Sequence, residues 1–259
     1  MNHTCADLSA HWPYPRWIAH RGAGKTAPEN TLSAFRLGAS HGFRMFECDV
    51  KLSADGEPFL LHDDDLCRTT DGQGDAGGQP WAQLSRLDAG GWHGPAYAGE
   101  PLLRLEALAT WLLANRLLVN LEIKPSPGRE AETGAVVADH VTRLWSDEAI
   151  KPLLSSFKPE ALAAAQACQP GLPRALLLTA WHPGWQHTAE ALGCVAVVVH
   201  HPCLDAASIA TAHAMGLRVL TYTVNEADRA DALWHAGLDG LITDAVDQPW
   251  AQERESVAC

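Results

Sequence analysis

Short runs of aliphatic and β-branched residues alternate along the chain with Ala- and Leu-rich stretches of helical periodicity. Eight runs have the character of strands: "RWIAH", "MFECDVKL", "LLVNLEIK", "PLLSSF", "RALLLT", "CVAVVVHH", "RVLTYTV" and "GLITDA". Alternation of this kind predicts parallel βα units, and eight of them predict a closed (β/α)₈ barrel. A doubly wound Rossmann-type sheet is the alternative, but no G-x-G-x-x-G follows any run. Gly42, Gly216 and Gly237 each follow a helical stretch and are expected at helix C-termini. The alternation breaks between about Asp63 and Leu103, a Gly- and Asp-rich segment too long for a βα loop of about two to six residues. The expectation is one domain over residues 1–259, with a small inserted cap at about 63–103 after the second strand.

A chain of 259 residues with 47% hydrophobic content can fill one such barrel. Its formal net charge of -12 argues against a nucleic-acid partner, whose phosphates need Lys and Arg. The seven cysteines are scattered without a C-x-x-C pair, so zinc or redox dithiol chemistry is not expected. The first residues, "MNHTCADLSAHWPYPRW", have neither a basic nor an apolar leader region, and no run approaches the roughly 20 apolar residues that span a bilayer. A cytoplasmic protein without stable membrane insertion is expected; its oligomeric state is left open.

The charged residues within the strand runs change this picture most. Strand alternation puts Glu47 and Asp49 on one face, and Asn120, Glu122 and Lys124 on one face. In a barrel the inward face near the strand C-termini is the active-site mouth. Three carboxylates gathered there would raise one another's pKa unless a cation sat among them, and all-oxygen ligation suits Mg²⁺ or Ca²⁺. Read as a two-residue hairpin loop, Asp55-Gly56 would set Ala54 opposite Glu57 and His62 opposite Asp49. His20 and Arg21 end the first run. Cation, Arg and Lys together suit a phosphate group, and two imidazoles suit proton transfer near neutral pH.

"HRG" followed by "PENT", then "FECDVKLSADGEPFLLHDDDLCRTTDGQG", "LDAG", "LEIK", "YTVN" and "GLITD", resembles the glycerophosphodiester phosphodiesterase family in order and across nearly the whole chain. The resemblance implies a TIM barrel with a small insertion after the second strand. It implies hydrolysis of a small-molecule glycerophosphodiester to glycerol 3-phosphate and an alcohol, within glycerol and lipid metabolism. By position, Glu47, Asp49 and Glu122 would hold one divalent cation, His20 and His62 would be the catalytic pair, and Arg21 and Lys124 would bind the phosphate. The inserted segment would cover the glycerol side. Tyr222 stands where many relatives have Trp.

Two rival readings differ in what they require of the sequence. A lysophospholipase D or phospholipase C activity on a lipid would want a basic amphipathic helix, which the sequence lacks. A catalytically silent phosphodiester sensor would need no acid and no base. Glu29 and Asn30 are read either as part of the site or as caps of the helix beginning near Thr31. His200 and His201 are read as pocket lining or surface, since the chain has thirteen histidines. Trp181 and Trp185 either line the leaving-group side or pack, and Asp244 is expected to order the final loop.

Overall fold

The computed structural model describes residues 12–251. Its strands are β1 (Trp17–Ala19), β2 (Met45–Leu52), β3 (Pro58–Leu60), β4 (Leu118–Ile123), β5 (Leu153–Ser156), β6 (Arg174–Leu178), β7 (Ala196–His200), β8 (Arg218–Tyr222) and β9 (Gly240–Thr243). All except β3 run parallel, and β1 pairs with both β2 and β9, so the ring closes as an eight-stranded TIM barrel. Each expected run contains one barrel strand. Around the ring lie α1 (Leu32–Ser40), α3 (Leu105–Asn115), α4 (Glu130–Leu144), α5 (Pro159–Cys168), α6 (Trp185–Ala191), α7 (Ala206–Ala214) and α8 (Ala227–His235), while the short α2 (Trp81–Leu84) belongs to the segment after β3.

Strand alternation divides the apolar residues into two cores. Ile18, Met45, Leu153, Ala175, Val198, Leu220 and Ile242 point inward and form one buried cluster. Phe46, Cys48, Val50, Leu121, Leu176, Val197 and Val219, from the opposite faces, pack outward against the helices in the larger cluster. The end of the barrel at the strand N-termini is closed by Tyr14, whose hydroxyl donates to the Lys151 carbonyl at 2.8 Å, with the Trp12 ring edge-on at 4.7 Å. Each such buried aliphatic side chain contributes about 1.5–3 kcal/mol, which makes these two layers the main source of stability.

Helix ends follow local chemistry. Thr31 caps α1, its hydroxyl accepting from the Ala34 amide at 3.3 Å, and Asp205 with Ser208 forms a reciprocal capping box on α7. Gly42, Gly216 and Gly237 follow α1, α7 and α8 with φ of 92°, 77° and 98°, the expected left-handed exits. Arg116 makes the same exit from α3 at φ 54° without being glycine.

The β2–β3 hairpin departs from the expected register. Leu52 pairs with Pro58 and Val50 with Leu60, so Asp49 lies opposite Leu61, and the same register sets His62 opposite Cys48. The loop holds three residues, not two. Gly56 takes φ 83°, its amide donates to the Ser53 carbonyl at 3.0 Å, and the Ser53 hydroxyl accepts from the Glu57 amide at 2.9 Å. These bonds stabilise the longer turn, and an Asp-Gly pair suits either loop. His62 reaches the mouth because the chain leaves the strand after Leu60, rather than by pairing with Asp49.

Between β3 and α3 the chain builds a small cluster of its own from Phe59, Leu61, Leu66, Ala76, Leu84 and Leu102. Polar ties fasten it to the barrel. The Glu100 carboxylate accepts from the Ser33 amide at 2.9 Å and its hydroxyl at 2.6 Å, placing negative charge at the α1 N-terminus.

Candidate active site

The acidic group is a product of register. β2 and β4 pair with Glu47 beside Asn120 and Asp49 beside Glu122, all four side chains facing inward. Oxygens of Glu47, Asp49 and Glu122 lie within 4.8 Å of one another, and the three residues are 3%, 1% and 9% exposed. Burial, then repulsion from Asp49 and Glu122, pushes the Glu47 carboxyl well above its ordinary pKa. Burial and Asp49 likewise push Glu122 up to about 7. For Asp49, burial opposes ionisation, but Arg21 and Lys124 outweigh it and hold the group below its usual range.

Those two cations approach from different elements. Arg21 directs Nε to Asp49 Oδ2 at 3.2 Å and Nη1 to Glu29 at 2.8 Å, while its backbone amide donates to Glu47 at 3.3 Å. Lys124 Nζ lies 3.1 Å from Glu122 and 3.3 Å from Asp49 Oδ1, an oxygen that accepts no hydrogen bond. Asn30, at φ 59°, locks Asp49 from the other side: Nδ2 donates to Oδ2 at 2.9 Å and Oδ1 accepts the Asp49 amide at 3.3 Å. Glu29 and Asn30 thus belong to the site, and Thr31 does the capping. Three buried carboxylates this close together, two of them with raised pKa, could hold a metal ion, and an all-oxygen donor set suits a hard divalent cation.

Each candidate histidine stands on a carboxylate. His20 Nδ1 lies 2.6 Å from Asp244 Oδ1, and its Nε2 lies 3.7 Å from Glu47. His62 Nδ1 lies 2.6 Å from Asp63 Oδ1. A carboxylate on Nδ1 selects the tautomer with hydrogen there and leaves Nε2 for the site. Both acids are held low. Burial works against Asp244, but the bonds from His20 and Asn225 prevail; the Arg68 bond brings Asp63 to about 2. Burial lowers the His62 pKa, with Arg21 and Lys124 acting the same way and Asp49 opposing them. Arg68 also grips Glu29 through two bonds of 2.8 Å, joining the His62 side to the Arg21 side.

The β1–α1 loop must lie flat on the β9 end to bring His20 to Asp244. Gly24 makes this possible, since a Cβ there would fall 2.3 Å from the Asp244 backbone. His20, Arg21, Glu47, His62, Glu122 and Lys124 all line one cavity of about 250 Å³, with Tyr222 and Phe157 as an aromatic wall. A second space of about 360 Å³ shares His62, Glu122, Lys124 and Phe157 and extends to Lys158 and Asp64. His200 and His201 are not in this lining; His200 is exposed beside the Tyr222 ring at 5.6 Å. Trp181 packs on Trp185 and donates to the Cys203 carbonyl at 2.9 Å. The sequence reading missed Asp63 and Arg68 and gave Asp244 only a loop-ordering role. The one signal for Asp63 was its place directly after His62.

Comparison with known proteins agrees with this geometry. A profile of the glycerophosphoryl diester phosphodiesterase family matches residues 20–248. The Bacillus subtilis protein YhdW, provisionally named a glycerophosphodiester phosphodiesterase, is 33% identical over 238 residues, covering 89% of this chain and 94% of that protein. The glycerophosphodiester phosphodiesterase of Caldanaerobacter subterraneus subsp. tengcongensis is 28% identical over 88% of this chain and 93% of its own. Among solved structures, an Oleispira antarctica phosphodiesterase in complex with the product sn-glycerol-3-phosphate superposes with a TM-score of 0.85 at 34% identity, covering 94% of this chain and 96% of that one. The glycerophosphodiester phosphodiesterase of Agrobacterium tumefaciens gives 0.75 at 25% identity, over 90% of this chain and 98% of that one. With every barrel strand after β1, the acidic trio and the motifs of both histidines inside the matched span, the chain belongs to the glycerophosphoryl diester phosphodiesterase family of phosphoric diester hydrolases.

Proposed function

We propose that the protein hydrolyses glycerophosphodiesters to glycerol 3-phosphate and an alcohol, with His20 and His62 as base and acid and Glu47, Asp49 and Glu122 as ligands of one divalent cation. The observation that carries the reading is the pair of carboxylate-backed imidazoles flanking one buried acidic trio in a single cavity. A cation held by the trio supplies charge neutralisation to the phosphoryl oxygens when bound. Arg21 and Lys124, now paired with the same carboxylates, are placed to hold the remaining phosphate charge. His20 Nε2 takes the proton of the attacking oxygen, from water or from the vicinal glycerol hydroxyl, while Asp244 stabilises the imidazolium that forms; on the hydroxyl route a cyclic phosphate results, which water then opens to glycerol 3-phosphate. As the bond from phosphorus to the departing oxygen breaks, His62 Nε2 delivers a proton to that oxygen and Asp63 keeps the ring in place. Residues 63–103 act as a cap on this single barrel domain.

Incubation with glycerophosphocholine and Mg²⁺ or Ca²⁺ should release glycerol 3-phosphate and choline. Release of glycerol and phosphocholine instead would show cleavage of the other ester bond and reject the reading. Among the described residues no helix is long and apolar enough to cross a membrane.

A further inference from the structure

Two fully buried polar side chains in the cavity have no part in the chemistry above. Asn120 occupies the inward position one step before Glu122 on β4, deeper in the barrel, and is 1% exposed. Neither its Oδ1 nor its Nδ2 has a hydrogen-bond partner among the described residues. Ser155, beside Glu122 in register on β5, is fully buried, and its Oγ is unpartnered too. Both line the 250 Å³ cavity. Their neighbours behave differently: Ser156 donates to the Ile123 carbonyl at 2.6 Å, and Asn30 makes two bonds to Asp49. Leaving a buried polar group unsatisfied costs about 1–3 kcal/mol, so three such atoms facing one cavity mark a place where something polar binds.

Apart from the charged groups of the site and Thr223, the rest of that lining is apolar or aromatic. Leu177, Ile242, Phe157 and Tyr222 line it along with the amide and the hydroxyl. The lining is therefore divided into a hydrogen-bonding part and a hydrocarbon part. A glycerol arm has the same division, with hydroxyls on one side of its carbon chain. The phosphate belongs at the Arg21 and Lys124 level, so the group that reaches below Glu122 is the end of the arm farthest from the ester.

We propose that Asn120 and Ser155 are specificity-determining residues that hydrogen-bond the terminal hydroxyl of the substrate's glycerol arm, whose carbons lie against Leu177 and Phe157. The inference rests on the glycerophosphodiester reading above. An amide offers a donor and an acceptor and a serine offers either, which matches a hydroxyl that must both give and receive. Both cavities meet His62, whereas only this one contains His20. The alcohol arm then occupies the 360 Å³ space beside Asp63 and Asp64.

The test compares glycerophosphocholine with its propane-1,2-diol analogue, which lacks only the terminal hydroxyl and keeps the vicinal one. Both are assayed with metal-loaded wild type, Asn120→Leu and Ser155→Ala. A site built to pair with a hydroxyl rejects the deoxy compound strongly, by up to about 10⁴-fold, so wild type should prefer glycerophosphocholine by at least about 10³-fold in kcat/KM. Asn120→Leu should lose more than about 10²-fold on glycerophosphocholine and less than about 10-fold on the analogue, collapsing the preference, with Ser155→Ala intermediate. Its melting temperature should equal or exceed wild type, because no protein group holds the amide.

Equal losses on both diesters with a lower melting temperature would make the amide structural and overturn the proposal. An unchanged preference in both variants would also overturn it, and weaker Mg²⁺ or Ca²⁺ binding by calorimetry would then assign Asn120 to the ion. Wild type that hydrolyses neither diester would reject the functional reading, and this inference with it. Ser155→Ala, a one-atom deletion, keeps the test decisive if the leucine variant fails to fold.

Discussion

The two halves of the barrel interior are built on the same strands and obey opposite rules. Toward the strand N-termini, Ile18, Met45, Leu118 and Leu153 fill the lumen with hydrocarbon, and Trp12 and Tyr14 close it. Two to four residues further along the same strands stand His20, Glu47, Asp49, Glu122 and Ser155. The lower half gains stability from burial, whereas the upper half holds carboxylates that repel one another and polar atoms without partners. Stability and chemistry are thus separated by about 7–13 Å along the strands, and each half can be altered with limited effect on the other.

The largest expected effect comes from the upper half. Chelation should abolish turnover, and Glu47→Gln, Asp49→Asn or Glu122→Gln should each weaken metal binding measured by calorimetry. Full activity in excess EDTA, after dialysis shown to remove all metal, would falsify the role assigned to the trio. Next come the histidines, where general acid or base help is typically about 10²- to 10⁴-fold. His62→Ala should lose far more activity on glycerophosphocholine than on a glycerophospho-nitrophenyl diester, whose leaving group hardly needs a proton. His20→Ala should lose similar factors on both. Rescue of His20→Ala by nitrophenol would exchange the two roles.

In the lower half, Leu153→Ala should cost about 2–5 kcal/mol by opening a cavity in the lumen. A melting temperature lowered by about 2–4 °C per kcal/mol with kcat/KM nearly unchanged is expected; a large loss of kcat in still-folded enzyme would break the separation. The smallest effect is a gain. In metal-free protein Glu122 titrates near 7, above the ordinary 4.5, so its ionisation destabilises the folded state fully above about pH 7, and that penalty is lost below about 4.5. Glu122→Gln, which copies the protonated acid, should therefore stabilise metal-free protein at pH 8 by about 1–3 kcal/mol and do little at pH 5. Destabilisation at pH 8 would mean that the Lys124 pair outweighs the repulsion.

The sequence made one class of feature legible and hid another. Strand alternation sufficed for the eight barrel strands and for the shared face of Glu47, Asp49 and Glu122, since a two-residue period has one solution once a barrel is assumed. The hairpin differs from its expected register by one residue because Asp55-Gly56 suits both a two-residue and a three-residue loop, and only the bonds to Ser53 separate them. Asp244 and His20 are 224 positions apart, so nothing local in "LITDA" announces the contact. Asn120 was placed on the right face but passed over beside the charged Glu122 and Lys124, because a sequence shows a polar residue and not whether it has a partner.

The ring is sealed where β1 meets β9, and that seam also joins His20 to Asp244. During synthesis, therefore, the imidazole is made 224 positions before its carboxylate and waits until the last barrel strand is made. Before then the nascent chain has two unpaired parallel edges, which are adhesive, and a long loop-closure entropy still to overcome. A message truncated before β9 would yield an open, adhesive sheet in which His20 lacks Asp244. The ring and the contact between these two side chains are completed together, in one late event of synthesis.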